Sequence, residues 1–406
     1  MSTYIPFSLM TLNQNSTSFD GFGRLRSGLP YTIFDSKLTV DNAPLFWDES
    51  LVSGAGITSS YLADESAVQF SSTLNTAGRF VRQTFMRFNY QPGKSQRILI
   101  TGVLNNSGGG VGVTTRLGYY DDNNGIFFQY ADGVFGVGIR SSTTGTPVDD
   151  VVTQANFNGD KNPEGGGDDE LNVDLTKTQI FAIDFEWLGV GRVRVGVIQG
   201  GAETTLHYFE NANIRNKVYM TTPNLPVRYE MITQATSAAS TMKCICSSVI
   251  SEGGQENNGI LRYTSNGVTN VDANVAGTVY AVIGIRLKST HLESTIKEVK
   301  GTLLATTNDN FEWTLRFNPT VAGTFTYADE TNSSVQTAKG ATANTVTGGL
   351  IIDGGYGSSN VQQSAQLVNS IHLGSKIDGT PDTLVLCVRP LTSNCDMFGS
   401  ITWREL

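Results

Sequence analysis

The sequence predicts an all-β fold: two β-sandwich domains of the jelly-roll or lectin-like kind, preceded by an extended N-terminal arm. Apolar residues recur at alternate positions or in short runs, and these runs end at Gly, Asn, Asp and Ser. The 44 glycines suit the tight turns that join short strands. Amphipathic helical periodicity is scarce, and the only helix that we predict is a short one at residues 211–214.

The clearest predicted element is a β-hairpin in the first half of the chain. Residues 179–187 and 192–198 both carry apolar side chains at every second position. Between them, Gly189 and Gly191 permit the positive φ that tight hairpins require. A third strand follows at residues 206–209. The same criteria predict further strands at residues 80–89, 95–103, 114–120, 126–130, 135–139, 280–287, 294–306, 311–318, 349–352 and 383–389.

Loop-rich segments suggest how the chain is divided. Residues 156–170 are rich in Gly, Asn and Asp and form a predicted insertion, whereas residues 251–259 have the composition expected of a domain boundary. No repeat of 20–50 residues is visible, which disfavours propellers and solenoids. The predicted organisation is an arm at 1–35, a first β-sandwich at 36–255 and a second β-sandwich at 256–406.

Composition excludes several classes of function. The net charge of −9 argues against a protein that coats nucleic acid, so we expect no direct nucleic-acid partner. No segment approaches the ~20 apolar residues of a membrane helix, and the N-terminus lacks a secretory pattern. Cys244 and Cys246 would share one face of a strand, and we interpret all four cysteines as free thiols from a reducing cytoplasm.

Residues 121–125 are a weak candidate for a calcium site. Oxygen ligands at Asp121 and Asn123 resemble the start of a calcium loop, but position 12 of that loop is Asp132 rather than glutamate. A turn between two strands explains the same residues. The three histidines are isolated from one another, so we expect no cofactor and no other metal site.

Asp184 and Glu186 are the candidates for a catalytic carboxylate pair, because they would share one strand face as in some glycoside hydrolases. The alternative is a charge ladder in which Arg192 and Arg194 on the next strand face the two carboxylates. We favour the ladder and expect that the protein is not an enzyme.

The N-terminal region combines aromatic residues, arginines and turn residues before the first regular strand. Such a segment is often ordered by packing on a neighbouring subunit, although it could equally cover the base of its own sandwich. The candidate assembly contacts are Phe22, Arg24, Leu25, Arg26, Phe34, Phe46 and Trp47.

The sequence resembles a family of uncharacterised virion structural proteins of tailed, double-stranded DNA bacteriophages. The similar segments are 22–26 (FGRLR), 32–37 (TIFDSK), 44–48 (PLFWD), 82–85 (RQTF), 89–96 (NYQPGKSQ), 118–127 (GYYDDNNGIF), 183–194 (IDFEWLGVGRVR), 223–230 (PNLPVRYE), 249–254 (VISEGG), 285–288 (IRLK) and 403–405 (WRE). The resemblance implies a non-enzymatic virion component, either capsid-associated (a minor capsid or decoration protein) or part of the tail. It also implies synthesis in the host cytoplasm, a symmetric homo-oligomer and other virion proteins as partners, with no catalytic residues to transfer.

The alternative function is a fibre or adhesin module that binds a carbohydrate or host receptor. Its partner would be a surface glycan, contacted by loop groups at Asp121 and Asn123 and by the rings of Tyr119 and Tyr120. A glycan depolymerase using Asp184 is a third alternative.

Overall fold

The protein is described from a computed structural model that covers residues 29–105, 110–159, 173–307, 309–359, 363–366 and 372–406. Within these ranges the regular elements are β-strands and two short 3-10 helices, Ala63–Glu65 and Gln154–Asn156. The predicted all-β class is therefore confirmed. Among the described residues, no helix has the length and apolar character needed to cross a membrane.

The first domain is a sandwich of two antiparallel sheets. Its strands are β1 (Tyr31–Ser36), β2 (Trp47–Gly54), β3 (Ile57–Leu62), β4 (Ala67–Ser72), β5 (Gly78–Thr84), β6 (Gln96–Val103), β7 (Val113–Tyr120), β8 (Gly125–Ala131), β9 (Val134–Ser141), β10 (Val148–Thr153), β11 (Gln179–Phe185), β12 (Val193–Gln199), β13 (Ala202–Phe209), β14 (Val227–Thr233) and β15 (Thr241–Ser251). One sheet has the order β13-β12-β11-β6-β15-β4-β3, with β1 also paired to β15, and the other has the order β10-β9-β8-β7-β14-β5-β2.

The second domain is built in the same way from smaller sheets. Its strands are β16 (Ile260–Ser265), β17 (Val271–Ala273), β18 (Tyr280–Leu287), β19 (Ile296–Ala305), β20 (Asn310–Phe317), β21 (Thr320–Val321), β22 (Ala328–Asp329), β23 (Val335–Lys339), β24 (Val346–Thr347), β25 (Leu350–Ser358), β26 (Gln363–Gln366), β27 (Thr383–Pro390) and β28 (Cys395–Glu405). A five-stranded sheet has the order β16-β28-β19-β26, with β17 also on β28, and a six-stranded sheet has the order β22-β23-β18-β27-β20-β25. The short strands β21 and β24 pair with each other.

Each pair of sheets encloses its own hydrophobic core. The first core draws on residues between Phe34 and Val249, and the second draws on residues between Val271 and Trp403. Alternation along the strands sends one set of side chains into these cores and the other set outward. The outward faces are therefore the surfaces on which a binding site can be built.

The predicted hairpin at 179–198 is confirmed as β11 and β12, with Asp184 directly opposite Arg194. Gly200 and Gly201 both have positive φ and turn the chain into β13, which contains the predicted third strand. Every other predicted strand overlaps an observed one, with ends that differ by a few residues. Short apolar runs with turn residues at both ends were therefore sufficient to find these strands.

Three expectations need correction. Residues 211–214 form a hydrogen-bonded turn rather than a helix, with the Ile214 N–H donating to the Asn211 carbonyl. The last part of the predicted arm is β1, which pairs with β15 and so belongs to the first sandwich. Cys244 is buried but Cys246 is exposed, because a register shift between Cys244 and Ser247 changes which face the side chains take.

The two domains contact each other along a seam. The Ile377 N–H donates to Asp48 Oδ2 at 2.8 Å, and an Arg87 guanidinium nitrogen donates to Ser375 Oγ at 2.7 Å. The Ser375 N–H also donates to the Phe85 carbonyl at 3.0 Å. The loop before β27 thus rests on the segment that follows β5.

Candidate functional site

A charged cleft lies on the outward face of the seven-stranded sheet in the first domain. Strand β14 shows how it forms: Tyr229 and Met231 enter the core, so Arg228 and Glu230 take the opposite face. The register then sets Arg116 of β7 beside Glu230. We call this surface the arginine–carboxylate cleft. It comprises Arg79, Arg116, Asp122, Arg140, Asp149, Arg228 and Glu230.

Carboxylates in the cleft are each shared between arginines. Asp122 lies 2.5 Å from a guanidinium nitrogen of both Arg79 and Arg228. Glu230 is fully buried and accepts from Arg79 Nε at 2.7 Å. Sharing of this kind links the charged groups into one network, because moving Arg79 or Arg228 would break contacts with two carboxylates at once.

The other end of the cleft is held by Asp149 on the edge strand β10. Its two oxygens accept from Arg140 at 2.7 and 3.0 Å, which is the bidentate geometry of strong guanidinium–carboxylate pairs. A third contact, from Arg116, measures 3.1 Å. This end of the cleft is therefore also rigid.

A buried aromatic layer supports the arginines from below. The Arg116 guanidinium lies 4.6 Å from the ring centre of Phe127, and that of Arg228 lies 5.3 Å from the ring centre of Tyr120. Phe127 lies flat because Gly138 leaves room for it: a Cβ there would sit 2.6 Å from the ring. The guanidinium groups of Arg116 and Arg228 are therefore positioned by aromatic rings as well as by carboxylates.

The cleft opens to solvent as a cavity of about 500 Å³. Its lining consists of Arg79, Asp122, Arg140, Pro147, Asp149, Glu230 and Ile232. Asp122 is the most accessible charged group of the ion-pair network, with 49% of its side chain exposed. A ligand in this cavity would meet several hydrogen-bonding groups whose positions are already fixed.

Both accessible carboxylates are held in the ionised form. Burial raises the pKa of Asp122, but the hydrogen bond from Arg79 and the charge of Arg228 outweigh it and lower the pKa well below its usual range. Burial also raises the pKa of Asp149, but the hydrogen bonds and charges of Arg140 and Arg116 outweigh it, so the pKa of Asp149 is lowered as well. These groups can accept hydrogen bonds at neutral pH, but they hold no proton to donate.

The loop at 121–125 borders this cleft, and the residue of the loop that lines the cavity is Asp122 rather than the predicted Asp121 or Asn123. Asp121 Oδ1 accepts from the backbone N–H groups of Asn123 and Asn124 at 2.8 and 2.9 Å. These hydrogen bonds form a turn, which was the alternative to a calcium site. No cluster of three or more His, Cys, Asp or Glu suited to a metal occurs in the described residues. Tyr119 and Tyr120 are buried and cannot serve as exposed sugar platforms.

The first pair of the proposed charge ladder is present. Asp184 and Arg194 form a buried pair at 2.6 Å, and Ser95 Oγ donates to the same carboxylate at 2.5 Å. Strand β11 ends at Phe185, so Glu186 does not continue the strand face; it accepts from the Arg192 backbone N–H at 3.1 Å. Asp184 and Glu186 are therefore not a matched catalytic pair on one strand.

The predicted assembly residues fall into three groups. Phe22, Arg24, Leu25 and Arg26 lie outside the described residues. Phe34 and Trp47 are only 5% exposed and pack with Phe88 and Tyr229 in the first core, so they cover their own sandwich, the alternative left open by the sequence. Phe46 differs, because 44% of it is exposed.

Phe46 lines an apolar cavity of about 390 Å³ at the seam between the domains. The remaining lining residues are Pro44, Leu45, Phe85, Met86, Phe317, Asn318, Gly349, Leu350 and His372. Burial, together with the charge of Lys297, lowers the pKa of His372 to about 4, so the imidazole is neutral at physiological pH. The cavity is thus an uncharged, mostly apolar recess.

Sequence reasoning missed most of the cleft. Its arginines come from β5, β7, β9 and β14, and only the sheet register brings them together. One local signal was available in β14, where charged residues at 228 and 230 alternate with apolar residues at 227, 229 and 231. That alternation marks a strand with a charged outward face.

No protein-family model matches this sequence, and no curated protein matches it. Among solved structures, an endo-1,3-beta-glucanase from Streptomyces sioyaensis is 10% identical and has a TM-score of 0.36, covering 56% of this chain and 98% of its own. The carbohydrate recognition domain of Emp47p is 10% identical with a TM-score of 0.34, covering 55% and 97%. The CBM2 module of the evolved Dit of Lactobacillus casei BL23 phage J-1 is 7% identical with a TM-score of 0.32, covering 56% and 98%.

Proposed function

We propose that the protein is a non-catalytic glycan-binding protein and that the arginine–carboxylate cleft holds the sugar. The observation that carries this proposal is an open cavity walled by ionised groups that are already fixed by one another. Adjacent sugar hydroxyls can donate to a carboxylate such as Asp122 while accepting from a guanidinium such as Arg79. Preorganisation of this kind reduces the ordering cost of binding.

The charge of the cleft favours a sugar over a strongly charged ligand. Four arginines face three carboxylates, which leaves a local charge of +1 on a chain whose net charge is −9. Neutral hydroxyls fit such a balanced surface. A polyanion would find only this single excess charge.

Catalysis at the cleft is disfavoured by the protonation states. Hydrolysis of a glycosidic bond needs a carboxylic acid that carries a proton at the working pH. Asp122 and Asp149 have lowered pKa values and are ionised there. We therefore expect no release of reducing ends when the protein is incubated with the glycans that it binds.

Glycan-array screening of the full chain, followed by calorimetric titration of each hit, tests the proposal. Asp122→Asn should weaken binding by about 10- to 150-fold, because one charge-assisted hydrogen bond is worth about 1.5–3 kcal/mol. Asp150→Asn is the matched control: Asp150 is the neighbour of Asp149 on β10, is well exposed and pairs with Arg215 instead. No binding to any neutral or acidic glycan, or an equal loss in both variants, would overturn the proposal.

We also propose a virion structural role, as the resemblance to phage structural proteins implies. Leu45 and Phe46 favour it, because both are largely exposed beside the apolar seam cavity and offer an anchor for a neighbouring subunit. The expected measurements are a defined copy number in purified particles and a symmetric oligomer by light scattering. Phe46→Ala should weaken the oligomer, whereas Leu74→Ala, which removes an exposed apolar side chain that does not line the seam cavity, should not. A monomer that is absent from particles would contradict this role.

A further inference from the structure

The second domain carries an uncharged surface recess that is chemically unlike the cleft. It lies on the outward face of the five-stranded sheet and has a volume of about 250 Å³. Its lining consists of Tyr263, Ser265, Asn266, Gly267, Thr302, Leu303, Leu304, Phe398, Gly399 and Ser400. None of these residues is charged.

Strand alternation builds this surface. The register places Tyr263 of β16 opposite Thr402 of β28, and Ser265 opposite Ser400, so that these side chains share one face. Ser400 is in turn opposite Thr302 of β19, and their hydroxyls are 2.5 Å apart. A row of hydroxyl groups therefore crosses three strands.

An aromatic ring and apolar side chains stand beside this row. Tyr263 is 64% exposed on the edge strand β16, and Leu304 is also exposed. Asn266 closes one end: its Oδ1 accepts from the Gly399 N–H at 2.9 Å, and its Nδ2 donates to the Met397 carbonyl at 3.1 Å. The recess thus has a rigid polar end and an exposed aromatic wall.

We infer that this recess is a second saccharide site, specific for an uncharged sugar. The apolar C–H face of a neutral sugar ring packs against a tyrosine ring, while its hydroxyls pair with neutral hydroxyl groups such as those of Thr302 and Ser400. A charged ligand is disfavoured because no lining residue offers a counter-charge. The inference is independent of the cleft, since the two sites share no residue and lie on different domains.

Titration of the full chain with neutral oligosaccharides (β-glucan, chitin and starch fragments) tests this site. Tyr263→Ala should weaken binding of the preferred oligosaccharide about tenfold. Tyr356→Ala is the matched control, because Tyr356 is an equally exposed tyrosine (69%) on the other sheet of the same domain. Thr302→Val provides a second variant that keeps the side-chain shape and removes one hydroxyl, and it should also weaken binding.

The outcomes separate this inference from the proposed function. Asp122→Asn, which alters the cleft, should leave the binding affected by Tyr263→Ala unchanged. If no neutral oligosaccharide binds, or if Tyr263→Ala and Tyr356→Ala behave alike, the second site is refuted whatever the cleft does. If Asp122→Asn abolishes all sugar binding, the cleft is the single site and the inference fails.

Discussion

Glu230 should be a large contributor to the stability of the first domain. Its carboxylate is fully buried, accepts from Arg79 Nε at 2.7 Å and from the Tyr120 hydroxyl at 3.3 Å, and lies within 4.0 Å of Arg116 and Arg228. Glu230→Gln keeps the shape and removes the charge. An amide has only one acceptor oxygen, so it cannot accept from Arg79 and Tyr120 at both positions.

The size of the effect follows from the partners that remain. Breaking a buried ion pair costs about 3–5 kcal/mol when the remaining charge has no compensation. Here Arg79 and Arg228 keep Asp122, and Arg116 keeps Asp149. We therefore expect Glu230→Gln to lower the free energy of unfolding by about 2–3 kcal/mol, below that range.

Urea unfolding, followed by circular dichroism and tryptophan fluorescence, measures this difference. The control is Glu65→Gln, which removes the carboxylate from an exposed pair with Lys243 and should cost less than about 1 kcal/mol. If Glu230→Gln loses less than about 1 kcal/mol with an unchanged denaturant slope, the buried network does not stabilise the sheet as argued.

Three further results are expected. Gly138→Ala should destabilise the first domain by about 1–3 kcal/mol in urea unfolding, because the added Cβ would press on the Phe127 ring. Gly253→Ala, where the nearest atom to an added Cβ is 3.5 Å away, should be close to neutral. Equal effects of the two substitutions would contradict this reasoning. The difference in free energy of unfolding between wild type and Asp149→Asn should be constant above the unfolded-state pKa of Asp149, about 3.8. It should shrink as the pH falls through the lower pKa of the folded state. A difference that grows on acidification would contradict this expectation. One thiol per chain, that of Cys246, should react with a disulfide reagent in the native protein, and all four thiols should react after unfolding. Rapid reaction of all four thiols in the native protein would contradict the burial of Cys244, Cys387 and Cys395.

Strands were predictable where one face is polar and glycine ends the run, as between β11 and β13. Strand β14 was missed although charged and apolar residues alternate along it, because its charged face is also buried, in contacts that only the sheet register brings together. Strand β15 was missed because its register shift after Cys244 breaks the alternation. The hairpin signal is local, whereas the burial of Glu230 depends on strands that are distant in sequence.

The candidate sites depend on sheet register for the same reason. Asp122 and Arg228 are 106 residues apart in the chain and yet form an ion pair. Ser265 and Ser400 are farther apart still and yet lie opposite each other in a sheet. No spacing motif can encode such a pair. The sequence could place Asp122 in a turn, but it could not place that turn beside four arginines.

Two sugar sites on one chain would make the apparent affinity for a long glycan higher than the affinity of either site alone. Contacts such as that between Arg87 and Ser375 join the domains, so a ligand long enough to reach both sites would meet a raised effective concentration at the second site once it is bound at the first. Symmetric assembly through Phe46 would repeat the pair of sites on every subunit. Weak binding by an isolated chain is therefore compatible with firm attachment by an assembled particle. The oligomer should therefore bind a glycan with a higher apparent affinity than the monomer does. Equal apparent affinities would exclude avidity as the reason for carrying both sites.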